Sequence, residues 1–150
     1  MVFTVVICPG AWPLRSFFEP LLQAFNAIGY PAECKVPLGY PDFGTDSPAQ
    51  INPDSAYLRE QVLTPLLEEG RDVALLMHSY GGVYAPAALE GLSKKEREDQ
   101  GLKGGIVGLI FVAAFVARKG ASAASAMGID PNNPPEWLDV DVCLGPSIAT

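Results

Sequence analysis

No apolar run in the 150-residue chain approaches the roughly 20 residues needed to cross a bilayer as a helix, so no membrane segment is expected. No secretory leader is expected either: Met1 to Cys8 carries no charge and runs straight into Pro9-Gly10, as a strand of the folded protein would. Basic residues are in deficit. With a formal net charge of −7, the chain lacks the positive face that nucleic-acid binding normally requires. The densest cations, Lys94, Lys95 and Arg97, alternate with Glu96, Glu98 and Asp99, which is the pattern of a solvated helix. Cysteine is scarce, and Cys8, Cys34 and Cys143 are an odd number without metal-ligand spacing. They point to a reduced, cytoplasmic protein with no metal site, in which Cys8 is a small buried hydrophobe. After the first strand, Pro9-Gly10-Ala11-Trp12-Pro13 supplies no G-x-G-x-x-G, and a P-loop is absent. Dinucleotide and nucleotide cofactors are therefore not expected. There is no internal repeat, and there is one histidine, His78.

What is present is a globular composition, 49% apolar and 18% charged, at a length that suits a single domain with a sizeable core. The most informative stretch is Val73-Ala74-Leu75-Leu76-Met77-His78-Ser79-Tyr80-Gly81-Gly82. Its apolar run is too short for a helix and reads as a strand buried on both faces. The residues after Gly82, Val83 to Leu89, are small and alanine-rich, which suits a helix packed close to a sheet. Ser79 stands at the corner between strand and helix. A serine in such a corner is the core of the nucleophile elbow, G-x-S-x-G, whose sharp turn pushes the hydroxyl out of the C-terminal edge of a parallel sheet. Here the motif reads Met77-His78-Ser79-Tyr80-Gly81, with Met77 at the first glycine position. A serine before a glycine pair can also serve simply as a helix N-cap, and the flanking strand and helix favour the elbow.

The remaining chain alternates strand and helix. Residues 3–8 form a β-branched strand, and the apolar residues Leu14, Phe17, Phe18, Leu21, Leu22, Phe25 and Ile28 recur at helical spacing before Gly29. Residues 31–38 give a second, more exposed strand, followed by a Gly/Pro/Asp/Ser-rich loop over 39–51. Asn52-Pro53-Asp54 reads as an N-cap, a first-position proline and a first-turn acid, opening a helix to Glu69 that Pro65 should kink or break. Ser93-x-x-Glu96 is a capping box for a short charged helix, and residues 105–114 form a further doubly buried strand. This β, α, β, α, β, α, β order predicts an α/β fold, a parallel sheet with right-handed crossovers and helices on both faces. Residues 116–150 read as an irregular cap or tail of the same domain, anchored by Trp137 and Leu138.

Taken together, Val6 to Trp12, the elbow at Met77 to Gly82 and the strand at Gly104 to Phe115 resemble the α/β-hydrolase superfamily, in particular its short intracellular esterase-like members of fungi and bacteria. The resemblance covers most of residues 2–118. It implies that Ser79 is the nucleophile and that the backbone N–H groups of Ala11 and Tyr80 form the oxyanion hole. It implies further that an acid and a histidine follow on later strands, and these are not found. His78 precedes Ser79 on the same strand and points to the other sheet face, so it is read as structural. Asp72, at about 3.3 Å per residue, lies roughly 20 Å away at the far end of that strand. Asp130, Asp139 and Asp141 are read as lid or loop residues. The expected fold is thus a truncated α/β-hydrolase fold lacking its last strands. Two functions follow: acyl transfer from a small ester, thioester or lactone to Ser79, for which the resemblance implies a place in specialised metabolism, with the triad incomplete in this chain; or a non-catalytic module that binds an apolar ligand or partner. The unpaired outer edge of the last strand is expected to promote self-association.

Overall fold

The computed structural model describes residues 2–10, 15–34, 53–118, 123–126, 128–130, 133 and 135–136. Strands β1 (Thr4–Cys8), β2 (Ala32–Cys34), β3 (Asp72–Ser79) and β4 (Gly105–Ala114) form one sheet in the order β2-β1-β3-β4. Every neighbouring pair is parallel. A short 3-10 turn, Arg15–Phe18, leads into helix α1 (Glu19–Ala27) between β1 and β2. Between β2 and β3 lie α2 (Pro53–Tyr57), a π-helical stretch (Leu58–Leu63) and α3 (Thr64–Glu68). Helices α4 (Gly81–Ala87) and α5 (Lys94–Asp99) connect β3 to β4, and α6 (Ala123–Ala126) follows.

Alternation along the central strands sends side chains to two separate cores. Val6, Cys8, Val73, Leu75 and Met77 pack on one face with Leu63, Leu66 and Leu67 of the 58–68 helical run and with Tyr84 and Ala85 of α4. Val5, Ile7 and Leu76 pack on the other face with Phe18, Leu22 and Cys34. Helices therefore cover both faces of the sheet centre, as the strand and helix order predicts. Truncating one of these fully buried leucines would cost about 2–5 kcal/mol, because the cavity left behind adds to the lost transfer energy.

Several local expectations are adjusted. The first helix buries only Phe18 and Leu22 among the described members of its apolar set. Phe17 and Ile28 remain 77% and 69% exposed, since β2 is three residues long and little sheet lies beneath this end of the helix. Gly29 ends it at φ 87°, as the helix stop predicts. The predicted second strand shrinks to Ala32–Cys34, and the rest of it, with the loop after it, lies outside the described residues. Pro65 does not break the second helix; it sits in the first turn of α3, where its missing N–H does least harm. The preceding turns widen instead, with the Thr64 N–H reaching back to the Arg59 carbonyl. The capping box at Ser93 and Glu96 forms with both of its hydrogen bonds.

The larger correction concerns β4. Its bounds match the predicted 105–114, but it is not doubly buried: Val107, Leu109, Ile110, Phe111 and Val112 each keep 40–46% of their surface exposed. Among the described residues it has one strand neighbour, β3. The apolar composition suited to an interior strand therefore sits at an edge.

Candidate functional site at the strand and helix corner

At the C-terminal end of β3 the backbone changes hand. Ser79 adopts φ 50°, in the left-handed region where a residue with a Cβ carries a strain of about 1–3 kcal/mol. Such a conformation persists only where the surroundings hold it. One restraint is β4, whose register against β3 shifts between His78 and Ser79, so that Ser79 pairs with Ala114. Ala113, beside the shift, has φ 43°. The Phe115 N–H then donates to the Ser79 carbonyl at 3.1 Å, and the Val83 N–H closes the next turn on the Tyr80 carbonyl at 2.8 Å.

The second restraint is close approach. A Cβ on Gly81 would be driven into the Cys8 carbonyl oxygen of β1, and one on Gly82 into the Phe115 carbonyl oxygen after β4. Helix α4 can therefore start this close to the sheet only because both residues lack side chains. Gly10, after β1, approaches from the other side. A Cβ there would lie 3.0 Å from Ser79 Cβ and 3.4 Å from both Ser79 Oγ and His78 Nδ1. Ser79 thus sits between the ends of β1 and β4.

The structure places the other sequence-derived site residues as follows. Tyr80 follows the strained residue and precedes α4; its ring is buried against Tyr84 at 5.2 Å between centroids. Ala11 lies outside the described residues, as do Asp139 and Asp141. His78 lies on the sheet face that carries Phe18, with the rings edge-on at 6.3 Å. Its Nδ1 is buried and has no hydrogen-bond partner among the described residues, Ser79 included. Asp72 is engaged elsewhere, accepting from Lys94 Nζ at 2.8 Å. Asp130 is exposed. Burial pushes the Cys8 thiol far above its ordinary range, so it stays protonated and is no rival nucleophile. Among the described residues no group of His, Cys, Asp and Glu has metal-binding geometry, and no helix is long and apolar enough to cross a membrane.

One residue at the site has no counterpart in the sequence reading. Asp54, read as an acid in a helix first turn, is buried, and its Oδ2 accepts from the Tyr80 hydroxyl at 3.2 Å. Beside it, Ser55 Oγ donates to the Tyr84 carbonyl at 2.7 Å, and one turn on Arg59 donates to the Ala88 and Glu90 carbonyls. The only sequence signal was a helix start rich in polar residues, and it says nothing of a partner 26 residues away.

The sequence profile of the alpha/beta hydrolase family matches residues 5–147. An alpha/beta hydrolase of Aspergillus novofumigatus, nvfD, is 25% identical over 132 residues, which are 88% of this chain and 50% of that protein. A probable hydrolase of a Phoma species is 25% identical over 126 residues, covering 83% of this chain and 47% of its own length. The chain thus spans about half the length of the curated relatives it matches. No solved structure matches it. A parallel sheet with helices on both faces, a serine at a strained strand-to-helix corner and a profile match over nearly the whole sequence give one conclusion: the chain belongs to the alpha/beta hydrolase family.

Proposed function

We propose that Ser79 is the nucleophile of an acyl-transfer hydrolase acting on a small ester, thioester or lactone. The observation that carries this reading is the left-handed Ser79 at the end of β3, followed by glycines that cannot bear a Cβ. A serine held this way is presented at the sheet edge rather than folded back into the strand. In the reaction, Ser79 Oγ would attack the acyl carbon, its proton would pass to a base, and the alcohol or thiol would leave. Water would then release the acid. The Tyr80 amide, with that of Ala11, would donate to the oxygen that becomes negative. The fungal origin of both relatives supports a substrate among small specialised metabolites.

The base is the weak point, since a serine hydroxyl is inert at neutral pH without one. The sequence has no histidine besides His78, and that ring makes no hydrogen bond to Ser79. A second reading is a non-catalytic module that binds an apolar ligand or a partner protein. Fluorophosphonate labelling separates the two. The chain of residues 1–150 should label slowly, faster when imidazole is added as an external base, and not at all as Ser79→Ala. Loss of a triad member leaves only about 10³–10⁴ of acceleration over water, so slow labelling is the expected baseline. Labelling that persists in Ser79→Ala would overturn the nucleophile assignment. A wild type inert even with imidazole would support the binding module.

A further inference from the structure

The strained corner is gripped from outside the sheet by one short helical segment. Asp54 and Ser55 lie at the start of α2 and Arg59 one turn later, and each reaches a different level of α4 and its approach. Asp54 takes the Tyr80 hydroxyl just after the corner, Ser55 takes the Tyr84 carbonyl in mid-helix, and Arg59 closes the carbonyls past the helix end. Ser55 can do this because the Ala88 N–H turns to the Ala85 carbonyl, which frees that of Tyr84. Both Asp54 and Ser55 are buried. A buried carboxylate is retained at an element junction where its hydrogen bonds are made, and the Tyr80 hydroxyl supplies one of them.

We propose that Asp54 is a positioning residue for the site. By holding the Tyr80 hydroxyl it fixes the peptide between Ser79 and Tyr80, and with it the one oxyanion-hole amide among the described residues. This rests on the reading of Ser79 as nucleophile. The Tyr80 side chain and its backbone N–H belong to one residue, so a phenol anchored on Asp54 and a ring packed on Tyr84 leave its amide little freedom. Preorganised donors matter because they need no rearrangement when charge develops. Asp54 acts through Tyr80 and touches no reacting atom.

The test compares Tyr80→Phe, Asp54→Leu and Asp54→Asn in the full chain. Tyr80→Phe keeps the ring packing and removes only the donor, and Asp54→Asn keeps an acceptor oxygen. The first readout is hydrogen exchange at two amides bonded across the corner, Val83 to the Tyr80 carbonyl and Phe115 to the Ser79 carbonyl. Exchange there should rise about fivefold in Tyr80→Phe and Asp54→Leu, as expected for the loss of one ordinary hydrogen bond, and recover in Asp54→Asn. Amides of β1 should not change. The second readout is the fluorophosphonate labelling rate, which should fall by about the same factor in the first two variants and recover in the third. Corner amides that exchange at the wild-type rate in Tyr80→Phe would overturn the proposal, as would a rise spread equally over β1. If wild type does not label at Ser79, the nucleophile reading fails, and the exchange readout still decides whether Asp54 holds the corner.

Discussion

Ser79 and the two glycines after it show how far single residues were legible. The order of an apolar run, a serine and a glycine pair was enough to place a strand, a corner and a helix, because only small residues permit a helix to begin against a sheet. Met77 in place of the first motif glycine is accommodated because its side chain goes fully into the core beside Cys8 and Tyr84. Asp54 was not legible, since its partner is distant in sequence and a first-turn acid has an ordinary local explanation. At this scale the firmest expectation is that Gly81→Ala cannot be absorbed. The added methyl meets a backbone carbonyl of β1, not a flexible side chain, so either the helix or the central strand must move. Overpacking of this kind costs typically 1–3 kcal/mol and more where backbone must shift, so the urea midpoint should fall by an amount equivalent to about 3 kcal/mol. An unchanged midpoint would mean that α4 stands off the sheet.

Elements were legible where one local pattern sufficed. β1, β3, β4 and the Ser93 capping box appear within a residue or so of their predicted bounds because a β-branched run or a cap motif depends on its own neighbours. The first helix shows the limit: its periodicity marks a helix correctly, yet which apolar residues are buried depends on how much sheet lies under it. The 58–63 widening lies just before Pro65, whose missing N–H marks an irregularity in the sequence, but the proline alone does not say that the turns widen rather than break. The cap offers an element-scale test. Ser93 Oγ accepts from the Glu96 N–H at 3.2 Å, while the Ser93 N–H reaches Glu96 Oε2 at 3.3 Å. Ser93→Ala removes the first of these and should cost about 1 kcal/mol in chemical denaturation. The adjacent Lys94–Asp72 pair ties the same helix to β3, so α5 should loosen at its start without leaving the sheet.

For the whole molecule, the decisive feature is the imbalance between the two sides of the sheet. At the β2 side the strand is three residues long and partly buried; at the β4 side Ile106 is bridged to the Leu92–Ser93 segment, and beyond it residues without a charge or a proline present their outer edge among the described residues, with apolar side chains exposed along 107–112. Natural edges are usually blunted by charge, proline, bulges or a covering element. Here the two register shifts, near Val73/Ala74 and His78/Ser79, both lie on the side already paired. Backbone N–H and C=O groups along that edge can be met by water, but the apolar surface beside them cannot, and both terms favour pairing with another strand. The net charge of −7 opposes association at long range but is screened beyond about 8–10 Å at physiological salt, too short a reach to protect an uncharged strand. We therefore expect the chain to self-associate through β4 at micromolar concentration, as a concentration-dependent rise in sedimentation coefficient. Leu109→Lys places a charge on the exposed strand without touching the central core, and should restore a monomer while leaving the far-ultraviolet circular dichroism unchanged. A wild type that sediments as one compact monomer over the whole range would show that β4 is already covered, and the edge would cease to be an interaction surface.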